Sequence, residues 1–217
     1  AHVPKEDDAG ENRFALDDSV IHGELENGLD YYVRRNGKPE KRVQLRLVVD
    51  AGSVLEDKDE RGLAHFVEHM AFNGTEKYDA NSIIDYLETT GMEFGPDINA
   101  YTSFDETVYS LELPTDSGET VEKGFDILKE WAFRIAFAPE EVDRERGVIV
   151  EEWRSGRGAS ARLRDQWWPV LMEGSRYAKR LPIGSMDIVR NAPGSRLVDF
   201  YREWYVPELM AVVVVGD

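Results

Sequence analysis

Residues 62–74 read Gly-Leu-Ala-His-Phe-Val-Glu-His-Met-Ala-Phe-Asn-Gly, and the pentapeptide His65-Phe66-Val67-Glu68-His69 inside them holds two of the chain's four histidines. On a helix, positions four apart lie one turn above each other, so His65 and His69 project from one face, and Glu68 shares it. Two imidazoles at that spacing can hold one zinc ion, and the carboxylate beside them can take a proton from a water bound there. Leu63, Phe66, Val67 and Met70 fall on the opposite side and can pack inward. A lone helical histidine is more often a surface or core residue, but three polar residues in this order, the inverse of H-E-x-x-H, favour a metal. Asn73-Gly74-Thr75 then stops the helix.

A catalytic zinc site takes three protein ligands and keeps one position open. There is no cysteine, and His2 and His22 lie outside any motif, so a carboxylate is the expected third ligand. The best source is the helical run 140–154. Glu145 and Glu152 are two turns apart and share a face that also carries Val142, Val148 and Ile149. Carboxylates on an apolar stripe cost free energy unless paired or metal-bound. Glu140, Glu141 and Glu151 read as solvated, and for Glu145 an arginine such as Arg144 or Arg146 is the competing partner.

Outward from these segments, residues 1–18 form an acidic, apolar-poor arm, read as loosely ordered, and 19–217 form the main domain. Short strands are expected at 20–25 and 30–35 around an Asn27-Gly28 hairpin signal, then at 43–49. A helix through Ile83, Ile84 and Leu87 should end at Gly91, with Asp79 or Asn81 as its cap. Strands 98–103 and 107–113 pair. Helix 120–137 presents Val121, Phe125, Leu128, Trp131 and Ile135, and Pro139 opens the next. Helix 161–173 carries Trp167 and Trp168. Shorter helices lie near Asp187 and at 195–204 before a fully apolar strand at 209–215. This order predicts an α+β fold, a largely antiparallel sheet with helices packed on it. A buried-type strand in last place suggests a fragment of a longer chain.

With 43 acidic and 26 basic residues the net charge is −17, which opposes nucleic-acid binding. No apolar run reaches the length of a transmembrane segment. The absence of cysteine excludes disulfides and thiolate chemistry.

The motif, with Gly62-Leu63-Ala64 before it and Phe72-Asn73-Gly74-Thr75 after it, closely resembles the pitrilysin-type, or inverzincin, zinc metallopeptidases in their N-terminal zinc-binding domain. The resemblance continues at Asn99-Ala100-Tyr101-Thr102-Ser103 with Asp105 and Thr107-Val108-Tyr109, and at Glu145-Arg146-x-Val148-Ile149-x-x-Glu152. It recurs at Leu181-Pro182-Ile183-Gly184 and in the closing Val-Val-Val-Gly-Asp. It implies a mitochondrial-processing-peptidase-like metallohydrolase domain holding one Zn2+ through His65, His69 and Glu152. Glu68 is the implied catalytic base, and Glu145 the second acidic residue, supporting the centre without binding the metal. The interval from His69 to Glu152 is slightly longer than the family's usual one, which an extra loop at 92–97 or 115–119 would explain.

The implied activity is endopeptidase cleavage of peptides or unfolded polypeptide segments. Strand 98–103 is expected to be an edge to which substrate adds, with Asn99, Ala100 and Thr102 as substrate-binding residues. A homologous second domain or subunit would close a chamber over the zinc. The alternative is a non-catalytic subunit, or an isolated fragment inactive by itself. S-ribosylhomocysteine lyases share H-x-x-E-H but need a cysteine. Bacterial relatives of this pattern are often exported, so a periplasmic or secreted location is expected, with the cytoplasm as the alternative.

Overall fold

The structure, a computed structural model, describes residues 16–93 and 95–217. Residues 1–15 of the expected arm lie outside the described residues, as does Phe94 in the 92–97 stretch. Six strands form one sheet in the order β1-β2-β6-β3-β5-β4. They are β1 (Val20–Glu24), β2 (Asp30–Arg35), β3 (Arg42–Val49), β4 (Ile98–Thr102), β5 (Thr107–Pro114) and β6 (Met210–Gly216). Every neighbouring pair is antiparallel except β2 and β6. The sheet is therefore largely antiparallel, as the element order predicts.

Alternation along the strands separates two faces. Leu45, Leu47 and Val49 of β3 and Tyr109, Leu111 and Leu113 of β5 are fully buried on one of them. Helices α1 (Leu63–Met70), α2 (Ser82–Thr89), α3 (Gly118–Phe133), α4 (Pro139–Ser155), α5 (Ala159–Leu171), α6 (Met186–Asn191) and α7 (Gly194–Trp204) complete the chain. Their apolar sides join the strand residues in one core centred on Phe66, Trp131 and Phe200.

Four local expectations change. The Asn27-Gly28 turn sits in a loop closed by Leu25 N–H to Leu29 C=O, with Gly28 at φ +92°, rather than in a two-residue hairpin. Helix α3 ends at Phe133 and faces the sheet through Thr120, Gly124, Ile127, Leu128 and Trp131, whereas Phe125 is exposed. The reason is Gly124: a Cβ there would overlap Leu113 Cδ1, so the missing side chain sets the line of closest approach. Asn81 precedes α2 in a left-handed conformation without a side-chain cap, and Gly91, at φ +84°, ends it. Gly91 N–H donates to Glu88 C=O and Met92 N–H to Leu87 C=O, the paired bonds of a Schellman turn. Finally, β6 is only half-buried along most of its length despite four successive valines. It runs through the middle of the sheet, and Val212 and Val214 pack on the core.

Candidate metal centre and active site

Helix α1 is aimed by its first turn. Gly62 precedes it at φ +104°, and the Leu181-Pro182-Ile183-Gly184 loop presses Gly184, itself at φ +70°, against Gly62. A Cβ on Gly184 would run into the Gly62 backbone, so both glycines are required at this crossing. Glu56, fully buried, fills the role of a cap from upstream: its Oε1 accepts from Gly62 N–H at 2.9 Å and Ala64 N–H at 3.0 Å. Burial pushes this carboxyl up to about 8, against the pull of those two bonds and of Arg180. Leu63, Phe66, Val67 and Met70, all fully buried, then fix the rotation of the helix. The polar side of α1 is left facing α4 and the end of β4.

On that side the two imidazoles converge. His65 Nε2 and His69 Nε2 are 3.2 Å apart, and Glu152 Oε2 lies 3.6 Å from the first and 3.4 Å from the second. Ligands at about 2.0–2.1 Å from a tetrahedral zinc ion stand about 3.3 Å from each other. The three donor atoms therefore already describe one face of a zinc-sized tetrahedron. Among the described residues this is the group of three able to hold a metal.

The electrostatics point the same way. Burial opposes a charged His69, but hydrogen bonding to Glu145 and Glu152 and the negative charge of Glu68 overcome it and push the imidazole up to about 9. His65, desolvated and beside His69, is pushed down to about 4. The hydrogen bond from His69 and the nearby imidazoles hold Glu152 below the usual carboxylate range. A field that favours a proton on His69 favours a metal cation in the same place. The donor set, two imidazoles and a carboxylate, suits zinc.

Glu145 and Glu152 are told apart by which nitrogen they meet. Glu145 Oε1 lies 2.6 Å from His69 Nδ1. A carboxylate only accepts, so Nδ1 carries the hydrogen and Nε2 is left for the metal. Glu145 Oε2 accepts from Asn73 Nδ2 at 2.9 Å, and the same amide donates to His69 C=O at 3.0 Å. Arg146, a competing partner in the sequence, instead donates to the carbonyls of Val189 and Ala192. Val142 and Ile149 share the buried flank of α4 with Glu145, but Val148 is exposed. At 100° per residue it falls on the far flank of Glu145 from Ile149. His65 lacks such support: among the described residues its buried Nδ1 has no hydrogen-bond partner.

Glu68, also buried, reaches the edge strand rather than the histidines: Thr102 Oγ1 donates to its Oε2 at 2.7 Å. Desolvation pushes its carboxyl up, while the Thr102 hydroxyl and N–H pull it down.

β4 is an edge strand, and its register decides what it can offer. Glu112 N–H donates to Asp97 C=O and Ser103 N–H to Glu106 C=O. Alternation then places the backbone of Asn99 and Tyr101 toward β5, and that of Ala100 and Thr102 toward the open side. The Asn99 side chain bends back so that its Oδ1 accepts from Ala100 N–H at 2.8 Å. Of the three residues expected to bind substrate, Ala100 thus presents backbone, Asn99 presents only its side chain, and Thr102 is engaged with Glu68.

Sequence reasoning singled out the two histidines and three glutamates of this centre. It gave no role to Asn73 beyond stopping the helix, and none to Glu56. Asn73 directly follows the motif and could have been read as its support; Glu56 carries no sequence signal of burial.

Comparison with known proteins gives the chain its family. Residues 31–162, which include every residue of the centre, match the family described as Insulinase (Peptidase family M16). A probable zinc protease PqqL of Haemophilus influenzae is 48% identical over 206 residues, covering 95% of this chain and 22% of that protein. The crystal structure of the first half of the periplasmic protease PqqL from Escherichia coli superimposes with a TM-score of 0.90 at 43% identity, over 93% of this chain and 43% of that one. Pitrilysin, at 23% identity and a TM-score of 0.78, shares the fold. The chain spans about a fifth of the length of the first curated relatives it matches, 22% for the Haemophilus protein. It belongs to peptidase family M16.

Proposed function

We propose that this M16 chain is the metal-binding, catalytic part of a zinc endopeptidase that cleaves peptides or unfolded polypeptide segments. The observation that carries the reading is the convergence of His65 Nε2, His69 Nε2 and Glu152 Oε2, with Glu68 buried on the same helix face. His65, His69 and Glu152 hold one zinc ion per domain, and Glu145 orients His69 through Nδ1. When bound, zinc polarises a carbonyl and lowers the pKa of a water to about 7.

Glu68 supplies what the metal does not. Its desolvated carboxylate, raised in pKa but still pulled down by Thr102, accepts the proton of the attacking water and returns it to the leaving amine. Ala100 offers the outward backbone edge of β4, along which an extended peptide lies as an added strand. Asn99 yields its hold on the Ala100 N–H to the incoming carbonyl, and its amide is then available to the peptide.

The remaining length of the relatives suits a homologous second region that closes a chamber over the zinc. The E. coli relative is described as periplasmic, and we assign this protein to the same compartment. No helix among the described residues is long and apolar enough to cross a membrane.

The test is Glu68→Gln in the full-length protein, with zinc content and hydrolysis of an unstructured peptide measured together. Zinc should be retained while turnover falls by several orders of magnitude. A variant that hydrolyses the peptide at near wild-type rate refutes the assignment.

A further inference from the structure

The sequence places Thr102 among the substrate-binding residues, but its contacts lead elsewhere. Its hydroxyl donates to Glu68 Oε2 at 2.7 Å, while its N–H turns to the open side of β4. Behind it stands Thr107, 1% exposed, whose Oγ1 lies 2.9 Å from Ala51 C=O and 3.4 Å from Thr102 Oγ1. A hydroxyl has one hydrogen. The Ala51 carbonyl only accepts, so Thr107's hydrogen is committed there, and Thr102's own hydrogen goes forward to Glu68, whose carboxylate likewise only accepts.

We infer that Thr102 is the positioning residue of Glu68 and not a substrate contact, an inference that rests on the role proposed for Glu68. Oε2 is committed to Thr102, so Oε1 is the oxygen left to take the proton. A carboxylate on an eight-residue helix whose backbone is anchored by apolar packing still has three side-chain torsions to fix. Packing cannot choose between its two oxygens; a directed hydrogen bond from an edge strand can. The division along β4 follows from alternation: Ala100 serves the peptide backbone, and two residues on, Thr102 serves the base. The strand that receives the substrate is thereby the strand that sets the proton acceptor, which ties the two in one rigid piece.

The experiment uses the full-length, zinc-loaded protein with Thr102→Val and Thr102→Ser. Valine keeps the shape and removes the hydroxyl; serine keeps the hydroxyl and removes the methyl. Misplacement of a reacting group by about 1 Å costs about 10²-fold. Thr102→Val should therefore lower kcat about 10²-fold on an unstructured peptide, with KM within about threefold and zinc retention against a chelator unchanged. Thr102→Ser should recover to within about threefold of wild type. A raised KM with unchanged kcat in Thr102→Val would make Thr102 a substrate contact and overturn the inference. So would Thr102→Ser as slow as Thr102→Val, because the hydroxyl would not be the agent. A crystal structure of Thr102→Val decides independently of activity: Glu68 should leave its present rotamer, and an unmoved Glu68 overturns the inference. A wild-type protein with no zinc-dependent hydrolysis instead sinks the proposed function, and the rotamer of Glu68 still answers for Thr102.

Discussion

Glu145→Gln is the sharpest test of how the centre is built, because the substitution preserves size and removes one acceptor. Glu145 is 8% exposed and uses both oxygens, one toward His69 Nδ1 and one toward Asn73 Nδ2. Both partners are donors. A glutamine can turn its carbonyl to only one of them, so its amide faces the other as donor against donor. If the carbonyl meets Asn73, His69 loses the partner that fixes its tautomer; if it meets His69, Asn73 Nδ2 keeps its bond to His69 C=O but turns its other hydrogen on the glutamine amide. Leaving one such donor unsatisfied costs about 1–3 kcal/mol. In affinity this is about 5-fold to 150-fold, and loss of an outer partner of a zinc-binding histidine typically weakens metal binding about 10–100-fold. We therefore expect zinc affinity to fall about 10–100-fold. It should be measured by competition with a chromophoric chelator at fixed pH, with the fold checked by circular dichroism. Affinity within twofold of wild type would refute the argument that Glu145 acts on the metal through His69.

Glu152→Ala should remove most bound zinc by elemental analysis; full retention would shift the third ligand to Glu145 or another acid. Glu56→Gln tests the buried cap. A carboxyl raised from 4.5 to about 8 contributes stability that is fully present below pH 4.5 and lost as pH rises through about 8. Glutamine keeps an acceptor for Gly62 and Ala64 without that loss, so denaturation should show the variant gaining on wild type between those pH values, and a pH-independent difference would contradict the burial argument. Gly184→Ala combines a left-handed φ of +70° with overlap against Gly62. It should cost about 2–4 kcal/mol in urea unfolding, and a neutral result would mean the crossing can relax. Asn99→Ala should weaken peptide cleavage with zinc content unchanged, and identical kinetics across a peptide panel would remove Asn99 from the substrate edge.

The helical half of the candidate centre was legible in the sequence because its donors are local. His65, Glu68 and His69 need only a helix to share a face, and the apolar residues between them supply its anchor. The α+β order and the family resemblance likewise follow from element succession and ordered motifs, and the fold and the family are what was expected. Glu145 and Glu152 show where this stops. They share a face of α4, so pattern alone leaves either as the ligand; the distinction arises because His69 presents different nitrogens to the two turns. Phe125 reads as core by helical spacing, but the approach of α3 to the sheet is set by Gly124, whose absent side chain leaves no periodic signal. The pairing of Thr102 with Glu68 and the burial of Glu56 depend on segments that meet only after folding. So does the place of β6, since a strand's sequence announces that it is a strand and not whose neighbour it becomes.

That place has a consequence for how the protein comes into being. β6 separates β2 from β3, strands that end at Arg35 and Val49. Until it arrives, two long rows of amide and carbonyl groups face each other across a gap. About 100 residues separate the end of β5 from the end of β6. At a ribosomal pace of about 5–20 residues per second, those rows stay open for about 5–20 s. Open strand edges recruit other chains, and an uncharged tetravaline segment is itself a ready partner for the wrong edge. The five residues of the candidate centre are complete once Glu152 has been made, about 60 positions before the strand that completes the sheet. The nascent chain thus passes through an interval in which the residues of the candidate centre exist and its sheet is incomplete.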